Sequence, residues 1–165
     1  MRQFYDTFET PLGAFSIALS ADGSVIASAF GGLDELRERF VPDEIVHNRE
    51  RAEEVRREVT DYFAGKRRKF SVPLAATGTL FQQQVWTALQ HIPFGETRSY
   101  GAVAATLGRP EASRAVGRAN ATNPICLIVP CHRVIGADGS LTGFAFGEDI
   151  KRRLLEHEGA LAGAV

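Results

Sequence analysis

The hydrophobic pattern of this 165-residue chain changes its period near residue 77, and this change limits the fold more than any other feature. Before it, short apolar runs between turn residues predict three strands, at residues 2–9, 12–19 and 24–30. Two helices and a final strand are predicted to follow, at residues 33–40, 49–64 and 70–74. After residue 77, apolar residues recur mainly at helical spacing. We therefore predict an amino-terminal α/β domain over residues 1–76 and a mostly helical domain over residues 77–165.

The second domain contains two short predicted helices around a Gly-x-Pro turn. Thr79 and Gln82 form a capping box that begins an earlier helix, and Ser99 can cap the first of the two short helices, residues 100–107. The second short helix is predicted over residues 111–121. This arrangement is typical of a helix-turn-helix, although many helical bundles contain it too.

The second short helix has two unlike faces. At 100° per residue, four apolar residues share one face of this helix and are predicted to pack inward: Ala112, Ala115, Val116 and Ala119. The opposite face holds small and basic residues: Ser113, Arg114, Gly117 and Arg118. Residues 95–135 carry five arginines and two glutamates, a local charge of +3. Such a face suits close approach to nucleic acid, and an ordinary solvated surface is the alternative.

Cysteine chemistry is the second candidate feature. Cys131 precedes His132, and an imidazole can activate a thiol by taking its proton. Neighbours on a regular strand point to opposite faces, so the pair needs a bend, which Pro130 makes plausible. A buried core cysteine is the alternative for Cys131, and Cys126 is interpreted as a core thiol. Two cysteines cannot form a disulfide framework or a zinc site alone.

Four further features have two interpretations each. Glu158 lies in the last turn of a predicted helix, where it either orients a histidine or ends the helix in solvent. The cations at 66–69 either form a solvated helix end or contact phosphate. Asn123 either belongs to a simple turn or braces two segments. Tyr100 is at the start of a helix, where packing is the commoner role.

The sequence 130–134, Pro-Cys-His-Arg-Val, resembles the signature of the O6-alkylguanine-DNA alkyltransferases, which reverse DNA alkylation directly. Further matching segments follow in the expected order at residues 81–86, 92–97, 99–100, 114–117, 123–124 and 157–159. The resemblance covers nearly all of residues 80–159. It is looser in the amino-terminal part, where residues 10–13 match.

The resemblance implies a ribonuclease H-like α/β domain followed by a winged helix-turn-helix domain that enters the minor groove of alkylated double-stranded DNA. The damaged guanine would be flipped into a pocket. Arg114 would occupy the space left in the duplex, and Tyr100 would aid flipping and donate a hydrogen bond to the base. Ser113, Gly117 and Arg118 would face the DNA. Asn123 would brace the recognition helix against the active-site segment.

The resemblance also implies the chemistry. Cys131 would attack the alkyl carbon as a thiolate, His132 would take its proton through water, and Glu158 would hold His132. Backbone groups near Val134 and Ala145 would read the base edge. Each molecule would act once, because the product is a thioether, and no metal or organic cofactor would be needed.

Two aromatic residues depart from the commonest pattern of the family. Phe144 stands where tyrosine is frequent, so a hydroxyl is lost while a wall for the base remains. Phe146 occupies a position that is glycine in many relatives. We expect Phe146 to narrow the pocket and to favour methyl over bulky adducts.

The apolar runs and the first residues of the chain limit which classes of protein remain. No apolar run approaches the roughly 20 residues that span a bilayer, and the first residues lack a signal-peptide core. We expect a cytoplasmic protein, monomeric in solution, without membrane partners; cooperative assembly on DNA stays open. Two other function classes are a non-catalytic lesion-recognition protein and a winged-helix transcription factor. The presence of Cys131 argues against the first of these.

Overall fold

The structure is a computed structural model that describes residues 2–42 and 44–161. The chain divides into two compact units, Met1–Thr77 and Gly78–Val165. The first unit is α/β and the second is mostly helical, which confirms the predicted fold class.

The first unit is built on a four-stranded sheet. Its strands are β1 (Arg2–Thr10), β2 (Gly13–Leu19), β3 (Val25–Phe30) and β4 (Glu44–His47), in the order β3-β2-β1-β4. The first three form an antiparallel meander, whereas β4 pairs with β1 in parallel. The three predicted strands are confirmed to within two residues. Strand β4 was missed, because it is a short, mostly exposed edge strand without apolar alternation.

Two helices, α1 (Leu33–Arg37) and α2 (Glu53–Phe63), accompany the sheet. Both are shorter than predicted. Helix α2 buries Val55, Val59 and Tyr62. The predicted strand at 70–74 is wrong: only an isolated bridge joins Leu74 to Val25.

The residues around 66–72 are held by a buried glutamate instead of a strand ladder. Glu58 is 1% exposed and accepts hydrogen bonds from the main chain of Ser71 and Val72. The guanidinium of Arg67 lies 3.5 Å from the same carboxylate. One of the four cations at 66–69 is therefore structural, and the other three residues are exposed.

The second unit contains four helices and a small parallel sheet. The helices are α3 (Leu80–Gln90), α4 (Tyr100–Thr106), α5 (Ser113–Ala121) and α6 (Glu148–His157). Strands β5 (Arg98–Ser99) and β6 (Val134–Ile135) pair in parallel. None of the helices among residues 2–42 and 44–161 is long and apolar enough to cross a membrane.

Local signals in the second unit are largely confirmed. Thr79 and Gln82 form both bonds of the capping box, and the Ser99 hydroxyl accepts from the main chain of Ala102. Helices α4 and α5 form the predicted helix-turn-helix, and the Trp86 indole donates to the Ala119 carbonyl at 2.8 Å, which ties α3 to α5. A turn at Asp138-Gly139 follows strand β6, which pairs with β5.

Candidate active site

Cys131 begins a single 3₁₀ turn, Cys131–Arg133, which follows a series of tight turns. The apolar run 126–131 is therefore not extended. Leu127 has a φ of 71°, a left-handed conformation that destabilises a non-glycine residue by about 1–2 kcal/mol. The 3₁₀ turn is the bend after Pro130 that the sequence required. Cys131 is 5% exposed, and neither it nor Cys126 is in a disulfide.

Two asparagine side chains hold this segment. Asn123 follows α5; its amide nitrogen donates to the Val129 carbonyl at 3.0 Å, and its oxygen accepts from the Ile125 amide at 3.0 Å. Asn120, inside α5, donates from Nδ2 to the Cys131 carbonyl at 3.2 Å. Asn123 was singled out from the sequence and Asn120 was missed. A polar residue on the inward face of α5, four positions after Val116, is the signal that could have found it.

His132 and Glu158 meet in the interior of the second unit. The histidine Nε2 lies 2.9 Å from Oε2 of Glu158, and the two residues are 0% and 4% exposed. Glu158 caps the carboxyl end of α6. The alternative of a solvated helix end is therefore wrong. The glutamate forms buried hydrogen bonds although its charge opposes the helix dipole.

Arg133 completes this cluster and was not singled out from the sequence. Its Nε and Nη2 donate to both oxygens of Glu158 at 2.8 and 3.0 Å, the two-point geometry that suits an ionised carboxylate. Its Nη1 donates to the Ile92 carbonyl at 2.7 Å. The adjacency of Arg133 to His132 was the only sequence signal for this role.

The electrostatics of the cluster fix the proton positions. Burial alone would raise the pKa of Glu158, but the hydrogen bonds from His132 and Arg133 and the positive charge of Arg133 outweigh it and hold the pKa well below 4.5. Burial lowers the pKa of His132, which the hydrogen bond to Glu158 offsets only in part. Because an ionised carboxylate only accepts, a neutral His132 carries its proton on Nε2. Its Nδ1 is left with a lone pair.

Lys151 is fully buried and was also missed. Its Nζ donates to the carbonyls of Val134 at 2.6 Å and Thr142 at 3.4 Å, so it joins β6 to the loop before α6. Burial lowers its pKa from 10.5 to about 8, although negative charge on Cys131 acts in the opposite direction. The spacing of 151, 155 and 158 on one face of α6 is the signal that could have found it.

Tyr100 is the first residue of α4, and its hydroxyl donates to the Thr142 carbonyl at 3.1 Å. Burial and then the charge of Cys131 raise its pKa, so the phenol remains a proton donor at neutral pH. Gly143, at a φ of 86°, allows this approach. A Cβ there would lie 2.7 Å from the Tyr100 hydroxyl oxygen.

Three of the residues expected to line the base pocket lie in the loop before α6: Phe144, Ala145 and Phe146. Phe144 is buried and Phe146 half-buried, with ring centroids 5.6 Å apart and planes at 67°. Ala145 between them is exposed, and Val134 is fully buried in β6.

Helix α5 presents the basic face that its sequence predicts. Arg114 and Arg118 are exposed, while Ser113 and Gly117 are half-buried. Of the predicted inward residues, Val116 and Ala119 are buried, and Ala112 and Ala115 are half-buried. Ala112 packs less than expected because the helix begins only at Ser113.

Two family descriptions match this chain in sequence. "6-O-methylguanine DNA methyltransferase, DNA binding domain" matches residues 80–160, and the "ribonuclease-like domain" of the same family matches residues 3–76. The chain belongs to the 6-O-methylguanine DNA methyltransferase family, as its resemblance predicted.

Proteins similar to this chain in sequence are named as methyltransferases of this family. A methylated-DNA–protein-cysteine methyltransferase of Methanosarcina acetivorans is 49% identical, over 95% of this chain and 99% of that protein. The constitutive enzyme of Bacillus subtilis is 45% identical, over 94% of each chain. A crystal structure of Mycobacterium tuberculosis OGT in complex with DNA matches with a TM-score of 0.86 at 41% identity, covering 95% of this chain and 93% of that one.

Proposed function

We propose that this protein repairs O6-alkylguanine in duplex DNA by transferring the alkyl group irreversibly to its own Cys131, one group per molecule. The observation that carries the proposal is the buried pair beside that thiol. His132 is neutral, and ionised Glu158 fixes its proton on Nε2. Its Nδ1 therefore keeps a lone pair and would act as the base. Family membership supports the same reaction.

The transfer step balances without a cofactor. The Cys131 thiol gives up its proton, which His132 Nδ1 receives through a water molecule, and Glu158 stabilises the imidazolium. The thiolate attacks the alkyl carbon in line with the C–O bond. That bond breaks with its electron pair left on guanine, which takes up one proton. The thioether formed is not hydrolysed by any of the groups named, so the protein acts once.

The base is proposed to bind between Tyr100 and the loop before α6. Tyr100 remains protonated and can donate to the base, which neutralises charge on the departing guanine. The main chain near Val134 and Ala145 would read the base edge, and Phe144 would form a wall. Since the Tyr100 hydroxyl donates to Thr142 in the free protein, it must change partner when the base enters.

Helix α5 is proposed to enter the minor groove. Arg114 would fill the space that the flipped base leaves, and Ser113, Gly117 and Arg118 would lie against the backbone. The exposure of both arginines and the absence of a side chain at Gly117 support this docking. Asn123 would transmit the position of α5 to the Cys131 segment. We infer that the protein acts as a monomer in solution; cooperative assembly on DNA and O4-alkylthymine as a second substrate stay open.

The intact mass of the protein tests the reaction. After incubation with duplex DNA containing O6-methylguanine, we expect a gain of one methyl group, located on Cys131 by peptide mapping. Cys131→Ala should keep its affinity for DNA and gain no mass. Binding without a change in mass would instead favour the lesion-recognition or transcription-factor alternatives. The Cys131–His132–Glu158 arrangement favours neither alternative.

Phe146 is proposed to set the size of the adduct that is accepted. Because its half-buried ring packs edge-to-face on Phe144, Phe146→Gly should widen the pocket. We expect the ratio of benzyl to methyl transfer rates to rise about tenfold or more in the variant, as for a pocket relieved of a steric clash. Single-turnover rates with the two modified duplexes measure this ratio. An unchanged ratio would contradict the role of Phe146.

A further inference from the structure

Two buried acceptor atoms lie next to the reactive cysteine without a donor. In the described part of the second unit, Asn120 Oδ1 and His132 Nδ1 are the buried side-chain polar atoms that lack a hydrogen-bond partner. Asn120 is 2% exposed and His132 is 0% exposed. Leaving a buried acceptor unpaired destabilises a protein by about 1–3 kcal/mol, so two of them together indicate a site for a donor.

Both atoms belong to groups attached to the same turn. Nδ2 of Asn120 donates to the Cys131 carbonyl at 3.2 Å, and Oδ1 shares that amide group, so it also lies beside the Cys131 main chain. His132 is the next residue in the 3₁₀ turn. The amide orientation follows from this bond, because only the nitrogen can donate to a carbonyl.

A single water molecule would supply a donor to each of these two acceptors. Water has two hydrogens to donate and lone pairs to accept, and a buried water typically makes about three hydrogen bonds. One hydrogen would bond His132 Nδ1, the other would bond Asn120 Oδ1, and the water oxygen would accept the S–H of Cys131.

We propose that Asn120 is a positioning residue for alkyl transfer: it holds the water that carries the thiol proton to His132, and it ties recognition helix α5 to Cys131. This inference rests on the proposed function. The thiol proton passes to the water and a water proton passes to Nδ1, so the water is regenerated and the charge ends as thiolate and imidazolium. Because Asn120 belongs to α5, the relay is aligned by the same helix that is proposed to hold the DNA.

The test compares Asn120→Leu and Asn120→Ser with wild type. Leucine matches the asparagine in size but can neither donate nor accept. Serine bonds readily to its own helix backbone, so it offers a second variant that folds. We expect single-turnover methyl transfer at saturating DNA and pH 7 to slow about tenfold or more, as for a lost proton-transfer contribution. The dissociation constant for the duplex should stay within about threefold, since Asn120 is buried.

A pH series distinguishes positioning from a general structural defect. At high pH the thiol ionises without the relay, so the wild-type-to-variant rate ratio should shrink towards one. The titratable and charged groups around the cysteine turn are the same in all the proteins compared: Tyr100, His132, Arg133, Lys151 and Glu158. A structural defect would lower the rate by the same factor at every pH.

Gln82→Ala is the matched control. Gln82 binds Thr122 at the end of α5 at 3.2 Å but contacts no residue of the cysteine turn, so its loss should leave the transfer rate unchanged. Folded Asn120 variants that transfer at the wild-type rate, or a rate ratio independent of pH, would overturn the proposal. So would failure of both variants to fold, which would assign Asn120 to stability alone. If wild type itself gains no methyl group, the proposed function fails instead.

Discussion

At the scale of single residues, the site depends on which atoms hold protons. Glu158 is ionised because Arg133 binds both of its oxygens, and this charge obliges His132 to carry its proton on Nε2. The lone pair on His132 Nδ1 is thus a consequence of the salt bridge between Glu158 and Arg133, which is two positions after Cys131. Removing one partner of such a buried pair leaves an uncompensated charge, which is strongly destabilising.

Glu158→Gln should test this dependence. The amide is nearly the same size as the carboxylate but leaves the Arg133 guanidinium without its counter-charge. We expect the free energy of unfolding to fall by about 3 kcal/mol and methyl transfer to slow about a hundredfold. Urea unfolding and single-turnover transfer measure the two effects. A folded variant with wild-type rate would show that the carboxylate charge does not matter.

Lys151 should make stability depend on pH in the alkaline range. The unfolded chain keeps this ammonium protonated up to about pH 10.5, whereas the folded protein loses the proton above about pH 8. Between these values the unfolded state binds more protons, so the contribution of Lys151 to stability rises with pH. Relative to Lys151→Met, the free energy of unfolding of wild type should increase by about 2 kcal/mol across this window.

Urea denaturation of wild type and Lys151→Met at pH 7.5 and pH 10 measures this change in the difference between their free energies of unfolding. The comparison with the methionine variant cancels the titration of groups that both proteins share. A difference that is constant or falls with pH would contradict a depressed pKa for Lys151.

At the scale of elements, α5 connects the surface to the thiol. Its outer face carries Arg114 and Arg118, and its inner face carries Asn120, bonded to the Cys131 carbonyl. Asn123 then stabilises the turns in which Leu127 adopts a left-handed conformation. A helix of nine residues thus combines the proposed DNA contact with the support of the reactive turn.

The two arginines of α5 should differ in their effects. If Arg118 contacts a phosphate, Arg118→Ala lowers the slope of log affinity against log salt concentration by about 0.9 without changing the transfer rate at saturation. Arg114→Ala should chiefly slow transfer, because it is proposed to support the flipped base. Fluorescence anisotropy across a salt series measures the slopes. Arg153→Ala, an exposed residue of α6 paired with Asp149, is the control. Equal slopes for the Arg118 and Arg153 variants would contradict the phosphate contact.

At the scale of the whole molecule, one repair event changes the protein permanently. Cys131 is 5% exposed, so a methyl group on sulfur enters packed surroundings. Methylation also removes an ionisable thiol whose anionic form raises the pKa of buried Lys151. Folded proteins are only marginally stable, so even small changes of this kind matter.

The methylated protein should therefore be less stable than the unmodified one. We expect a decrease of about 1–3 kcal/mol in the free energy of unfolding, the usual effect of overpacking by one carbon. Urea unfolding of protein treated with methylated duplex measures it, and protein treated with the undamaged duplex is the control. Equal stability would show that the site accommodates the methyl group without strain.

The sequence by itself determined the α/β and helical halves, the caps at Thr79 and Ser99 and the residues of the family signature. These features depend on local periodicity and on short motifs, which a sequence displays directly. It failed at β4, because an exposed edge strand has no periodic signal. It also failed at residues 70–74, where hydrogen bonds to the buried Glu58 replace the predicted strand pairing.

Only the tertiary structure decided the proton positions and the supporting contacts of the site. Asn120, Arg133 and Lys151 act through partners 11, 25 and 17 residues away in the sequence. The chemistry of a buried polar group is set by the donors, acceptors and charges that folding brings around it, and no local pattern records those.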